Sequence, residues 1–152
     1  MQTFYNQAKA DLLSGVYNLA SGTYKCLLVQ TTYVFDPDHQ YVSDITGGPD
    51  YELNSSGGGT GYTAGYAGSG RKTLSTLTVT KDNVNDLAKW SFDPITWSTI
   101  NAGTARALVV YKPNTNDADS KILVYVQFTN DAITNGGDLV YTPPATGVAV
   151  LS

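Results

Sequence analysis

The sequence is short of the side chains on which most catalytic and metal centres depend. Its 152 residues include one cysteine, Cys26, and one histidine, His39, and only 14% of the residues are charged. A single cysteine excludes a disulfide within the chain, and its place in the apolar run of residues 26–29 predicts a buried small side chain rather than a reactive thiol. A single histidine leaves few ways to place a base beside a nucleophile. The composition therefore gives little support to a catalytic function.

Basic residues are also few. Nine Lys and Arg stand against thirteen Asp and Glu, which gives a formal net charge of −4 and a pI near 4.6. Because nucleic-acid binding draws most of its affinity from basic side chains on phosphates, this balance argues against a nucleic-acid partner and against an anionic membrane surface. No apolar run approaches the ~20 residues that span a bilayer, and the N-terminus lacks the pattern of a signal peptide. We expect a soluble chain that is synthesised in a cytoplasm.

Alternating apolar and polar residues are abundant. One amphipathic segment predicts a helix of about three turns within residues 1–15, capped by Thr3 and ended at Gly15. Beyond it the apolar period changes to two. The segments that predict strands are residues 24–30, 31–35, 74–80, 87–92, 106–112, 121–128, 138–142 and 147–151. Because no helical pattern intervenes, we predict one all-β domain over residues 1–152, an antiparallel β-sandwich or barrel with a short N-terminal α-helix.

The densest glycine run, GGGTGYTAGYAGSGRKT, occupies residues 57–73. It approaches the phosphate-binding motif G-x-x-x-x-G-K-[ST], but Arg71 stands at the lysine position and Lys72 at the hydroxyl position. That motif also needs a helix after it, whereas the next segment here predicts a strand. We therefore predict a long glycine-rich loop, residues 46–70, and no nucleotide site.

Acidic residues surround the single histidine in the segment FDPDHQYVSD. The side chains there that could bind Ca²⁺ are those of Asp36, Asp38, His39 and Asp44. Their spacing matches no standard calcium loop. The alternative is a turn, in which Pro37 fixes the backbone and Asp36 caps a short helical turn that runs to Asp44. We favour the turn. No pair of carboxylates stands out for glycoside hydrolysis, so we predict no catalytic residue, no metal and no cofactor.

Several phrases in one order resemble a known group of proteins. They occupy residues 4–15, 33–39, 42–45, 59–62, 71–74, 78–80, 85–90, 93–97, 107–112 and 147–148. Together they resemble small structural proteins encoded with the head and tail genes of tailed bacteriophages, some of which are capsid decoration (cement) or head-fibre proteins. The resemblance spans nearly the whole chain and carries no motif tied to chemistry. It implies a virion component on the capsid surface, synthesised in the host cytoplasm.

Capsid decoration is the function that this resemblance implies. Such a protein binds the outside of the shell and stabilises it, so the implied partners are the major capsid protein and further copies of the chain, in a homotrimer. We expect the interface side chains to come from the predicted helix and from the glycine-rich loop. Those of the helix are Phe4, Tyr5 and Leu12. Those of the loop are Tyr62 and Tyr66, which we expect to be exposed on a mobile segment. The alternatives are that the helix packs on its own domain, and that the protein is a head-fibre or tail-associated module that binds host glycans.

Overall fold

The computed structural model describes residues 1–151, and across them it has two helices and ten strands. The helices are α1 (Asn6–Leu13) and α2 (Ser43–Thr46). The strands are β1 (Gln2–Phe4), β2 (Lys25–Gln30), β3 (Lys72–Thr73), β4 (Thr78–Asp82), β5 (Leu87–Ser91), β6 (Ile95–Trp97), β7 (Gly103–Lys112), β8 (Lys121–Thr134), β9 (Leu139–Tyr141) and β10 (Ala149–Leu151). No helix in residues 1–151 has the length and apolar character to cross a membrane. The all-β prediction is confirmed.

Three antiparallel sheets share one hydrophobic core. The largest has the strand order β1-β8-β7-β2-β3, the second β10-β5-β4, and the third pairs β6 with β9. Strands β7 and β8 form the longest pairing, from Gly103 opposite Thr134 to Lys112 opposite Lys121. Each sheet sends large side chains into the common core, among them Trp90 from the second sheet and Trp97 from the third.

The central strands of the largest sheet are buried on both faces. Leu27, Leu28 and Val29 of β2 are all inaccessible to solvent, although neighbouring residues of a strand point to opposite faces. A continuous apolar run of this kind is typical of a strand that is covered on both sides. Cys26 lies in the same strand and is fully buried, as predicted, and burial raises the pKa of its thiol to about 12.

The N-terminal helix is shorter than the sequence indicates. Thr3 does not cap it but lies in β1, where it pairs with Tyr125 of β8. Helix α1 begins at Asn6 after an extended Tyr5 and makes about two turns. Gly15 ends it as predicted, with a φ of 75° that glycine adopts readily. Ala8 is buried, so the helix packs on the core of its own domain.

Two predicted strands are wrong in whole or in part. Residues 31–35 form a turn and irregular chain, because the pairing of β2 with β7 shifts at Gln30 and the chain then leaves the sheet. The predicted strand over residues 74–80 begins only at Thr78, after Thr76 takes a φ of 50°. The hairpin that follows, β4 with β5, has the expected antiparallel pairing.

An ion pair ties helix α1 to the sheet. The buried Asp11 carboxylate accepts hydrogen bonds from Lys121 Nζ at 2.7 Å and Gln7 Nε2 at 2.9 Å. Burial alone would raise the pKa of Asp11, but these hydrogen bonds outweigh it and lower the pKa below its ordinary value.

This lowered pKa predicts a dependence of stability on acid. The ionised Asp11 stabilises the fold above the ordinary carboxyl pKa of about 4, and the contribution is lost as the pH falls through the folded-state value. Between about pH 6 and about pH 2.5 we expect the wild type to lose more unfolding free energy than the variant Asp11→Asn, measured by urea denaturation. Equal losses in the two proteins would show that the carboxylate contributes nothing to the acid response.

Candidate functional site

Three of the five residues predicted at an interface lie inside the chain's own core. Phe4, Tyr5 and Tyr62 are buried, Leu12 is half-buried against the core, and Tyr66 is 38% exposed. The five therefore form no common exposed surface. Tyr66 and Leu12 remain available in part, and their contact with a partner stays a prediction.

Tyr62 shows why the glycine-rich loop is not a free segment. Its hydroxyl donates to Glu52 Oε1 at 3.0 Å and accepts from the backbone N–H of Leu28 in β2 at 3.0 Å. A buried phenol needs such partners, since leaving it unpaired costs about 1–3 kcal/mol. The expectation that Tyr62 is an exposed contact residue is therefore wrong, and the loop is anchored in the core at this point.

Close backbone contact explains part of the glycine content. Thr60 and Asn101 exchange two backbone hydrogen bonds, at 2.8 and 2.9 Å, which bring the loop against the turn after β6. At Gly61 the φ is 73°, and a Cβ atom would lie 2.8 Å from the Cα of Ile100 and 2.8 Å from the carbonyl oxygen of Ser98. Only glycine fits this contact without a shift of the backbone.

Arg71 is the centre of a buried charge cluster that no local sequence pattern predicts. Its Nε and Nη2 donate to the two carboxylate oxygens of Glu52 at 2.9 and 2.7 Å. Its Nη1 and Nη2 donate to the two oxygens of Asp117 at 2.5 and 2.9 Å. The guanidinium also lies 5.6 Å from the ring centre of Tyr111. Paired contacts of this geometry are the strongest that an arginine makes with carboxylates.

The cluster joins segments that are far apart in the sequence. Glu52 Oε2 also accepts the backbone N–H of Gly65, and Asp117 Oδ2 accepts the hydroxyl of Thr46. Every carboxylate oxygen of Glu52 and Asp117 therefore has at least one donor within the chain. Arg71 stands at the lysine position of the phosphate-binding motif, but its guanidinium binds the carboxylates of this cluster. The role of the cluster is structural.

The turn predicted at Asp36 and Pro37 is confirmed, but the helical turn predicted to run to Asp44 is wrong, because residues 39–42 are not helical and α2 begins only at Ser43. The carboxylate of Asp36 accepts the backbone N–H of Asp38 at 3.0 Å, and that of Asp44 accepts two backbone N–H groups, from Gln40 and Tyr41. The carboxylates thus serve the turn itself. Residues 1–151 contain no group of three or more His, Cys, Asp or Glu side chains placed to hold a metal ion.

A surface groove of about 460 Å³ opens beside this turn. Its walls include Val34, Asp36, His39, Asp44, Pro49 and Tyr51. His39 Nδ1 lies 3.1 Å from the hydroxyl of Tyr33, which in turn lies 3.1 Å from the hydroxyl of Tyr5. On the other side of the ring, His39 Nε2 is 3.7 Å from Asp36 Oδ2. His39 Nδ1 is therefore held by Tyr33, while Nε2 lies on the side of Asp36, which also lines the groove.

A row of apolar side chains extends from the core to the surface on one face of the second sheet. Val79, Trp90 and Ala149 lie opposite one another on β4, β5 and β10, so they share one face. Trp90 and Ala149 are buried, whereas Val79 is 50% exposed and Leu151, on the same face, is 51% exposed. Strand β4 is an outer strand of this sheet, and four of its five residues are exposed. The row and the strand edge beside it, here called the β4 face, present apolar surface and backbone groups to solvent.

Comparisons with known proteins add no relative. No family model, curated protein or solved structure matches the chain. Three features of the chain could serve a function: the Arg71 cluster, the His39 groove and the β4 face. The first is structural, so the two surfaces remain.

Proposed function

We propose that this chain is a structural protein of a bacteriophage particle that decorates the outside of the capsid. It binds the major capsid protein, associates as a homotrimer and stabilises the shell. The resemblance of its sequence to phage head and tail proteins supports this proposal. The observation that carries it in the structure is the β4 face, an apolar strip next to an uncovered strand edge.

The β4 face has the two properties that a docking surface on a capsid needs. When a partner removes its apolar side chains from water, the complex is stabilised by about 25 cal/mol per Å² of apolar area buried. Its strand edge has backbone groups that can pair with an extended segment of a second protein. Exposed edges are usually protected by proline, a bulge, charged side chains or another element. In β4, of sequence TVTKD, the charged residues Lys81 and Asp82 stand only at the end of the strand, and the first three residues are uncharged and regularly paired with β5 on their other side.

The rest of the molecule suits a shell protein. Its charges are few, and the buried Arg71 cluster joins the glycine-rich loop to the largest sheet. A net charge of −4 on each copy would make decorated particles repel one another. These features suit a rigid domain on the outside of a particle.

Immunogold electron microscopy of the parent particle tests the proposal. With antibody raised to this chain, we expect dense label over the heads. Sparse label at the tail or fibre tips would favour the head-fibre or tail-associated alternative, and absence of label from all particles would refute a virion role.

A matched pair of variants tests the β4 face itself. Val79→Asp places a charge in the proposed interface and is expected to reduce co-sedimentation with undecorated capsids at least about tenfold, which corresponds to 1.4 kcal/mol. Val140→Asp is the control, because Val140 is 53% exposed on β9, a strand of a different sheet. Equal binding by the two variants would exclude the β4 face as the docking surface.

A further inference from the structure

We propose that the groove beside His39 binds a neutral saccharide. This site is separate from the β4 face, and the proposal holds for the isolated chain whether or not it decorates a capsid. Three observations carry it: hydrogen-bond acceptors left free in the groove, an apolar wall beside them, and a support that holds the wall in place.

The acceptors come from the turn. Asp36 uses Oδ1 for the N–H of Asp38, and Asp44 uses Oδ2 for the N–H groups of Gln40 and Tyr41. The second oxygen of each carboxylate accepts no hydrogen bond from residues 1–151, and His39 Nε2 lies 3.7 Å from Asp36, beyond hydrogen-bond distance. Sugar hydroxyls are donors, and a charged acceptor binds them more strongly than a neutral one. The groove thus offers two carboxylate oxygens as acceptors to such a ligand, with His39 Nε2 beside them.

The wall supplies the apolar contact that a sugar ring needs. Val34 is 76% exposed although it is a large apolar residue, and it lines the groove together with Pro49 and Tyr51. The C–H face of a pyranose packs on surfaces of this kind while its hydroxyls point to polar groups at the edge. A volume of about 460 Å³ lies in the range of small-molecule sites and accommodates about one or two sugar rings.

The support behind the groove is a set of aromatic rings that pack edge-on and share hydrogen bonds. Tyr33 holds His39 through its hydroxyl and packs edge-on against Tyr51, with 5.5 Å between the ring centres. Tyr33 is itself buried and bonded to Tyr5. Side chains held in this way lose little freedom when a ligand binds, which lowers the cost of binding.

A calcium ion is the competing ligand, and the geometry disfavours it. Ca²⁺ takes 6–8 oxygen ligands, as a rule, from carboxylates, carbonyls and water. Here Asp44 already caps the turn with one oxygen, Asp36 does the same, and His39 offers nitrogen rather than oxygen. A ligand with several separate hydroxyl donors fits the spread of these acceptors better than one cation does.

Nuclear magnetic resonance on the isolated, ¹⁵N-labelled chain tests this proposal. Glucose, galactose and N-acetylglucosamine are titrated singly, with CaCl₂ as a separate titrant. We expect at least one sugar to shift the backbone amides of groove residues, including Asp36, His39 and Tyr51, with a dissociation constant of about 1–10 mM. Shifts at other sites only, no shift with any sugar, or shifts with CaCl₂ alone would each overturn the proposal.

A conservative pair of variants locates the contact. Asp36→Asn keeps the oxygen that accepts the N–H of Asp38 but replaces the free charged oxygen, so we expect affinity to fall about threefold to tenfold. Asp119→Asn makes the same change in another loop, where Asp119 accepts the backbone N–H of Asn116, and is expected to bind as the wild type does. Unchanged shifts outside the groove show that each variant is folded. Equal affinity of the two folded variants would overturn the assignment of Asp36 as a ligand contact.

Discussion

Replacing Arg71 with methionine is expected to lower the free energy of unfolding by about 3–5 kcal/mol. The change removes the guanidinium that neutralises Glu52 and Asp117 and leaves the fully buried Glu52 carboxylate without its ionic partner. An unpaired buried charge costs far more than the pair itself contributes. Part of the loss comes from the glycine-rich loop, because Tyr62 and Gly65 donate to the same carboxylate. Urea denaturation followed by tyrosine and tryptophan fluorescence measures the change.

Arg106→Met is the matched control for this prediction. Arg106 also faces an acidic residue, Asp131, but at 3.7 Å and with both side chains partly exposed. Exposed pairs of this kind contribute about 0–1 kcal/mol, so this variant is expected to unfold almost as the wild type does. If Arg71→Met and Arg106→Met had the same stability, the buried cluster would not hold the loop to the sheet.

The second large effect is expected at Gly61. Gly61→Ala forces an L side chain into a φ of 73° and places its Cβ against the backbone of Ile100 and Ser98. The left-handed conformation costs about 1–2 kcal/mol and overpacking a further 1–3 kcal/mol, so we expect a total loss of about 2–5 kcal/mol. Thermal or urea unfolding of the purified variant measures it.

Gly58 is the control that separates the cost of the left-handed conformation from the cost of overpacking. It lies in the same glycine run and has a φ of 93°, but a Cβ there would meet no atom within 4 Å. Gly58→Ala is therefore expected to cost only the conformational term, about 1–2 kcal/mol. A loss at Gly58 as large as that at Gly61 would mean that close contact with the turn after β6 is not what requires glycine.

The parts of the fold that sequence predicts well are those with strong local patterns. The apolar runs of β2, β7 and β8 and the alternation in β5 identify strands, because the order of apolar and polar residues there follows the order of buried and exposed positions. Short strands lack this information. Strand β1 has three residues and is held in place by its pairing with β8, so the local pattern places Thr3 in the helix instead. Tertiary pairing overrides local propensity at such positions.

The buried charge cluster shows the same limit more clearly. Glu52, Arg71 and Asp117 are separated by 19 and 46 residues and share no motif, so only the folded chain brings them together. The glycine-rich segment around Tyr62 resembles a free loop in sequence, because glycine indicates flexibility and close packing equally well. The turn at Asp36, by contrast, was predictable, since Pro37 and an Asx hydrogen bond are local features.

The buried Cys26 provides a way to measure the opening of the largest sheet. It is the only cysteine, it lies on β2 between β7 and β3 of the largest sheet, and burial raises the pKa of its thiol to about 12. At neutral pH an alkylating reagent can therefore modify only those molecules in which β2 has separated from its neighbours. Because each chain can take only one label, the fraction of labelled chains at successive times gives the rate at which the sheet opens. A comparison of the labelling rate of Cys26 in the free chain and on a particle would show how far assembly slows the opening of this sheet.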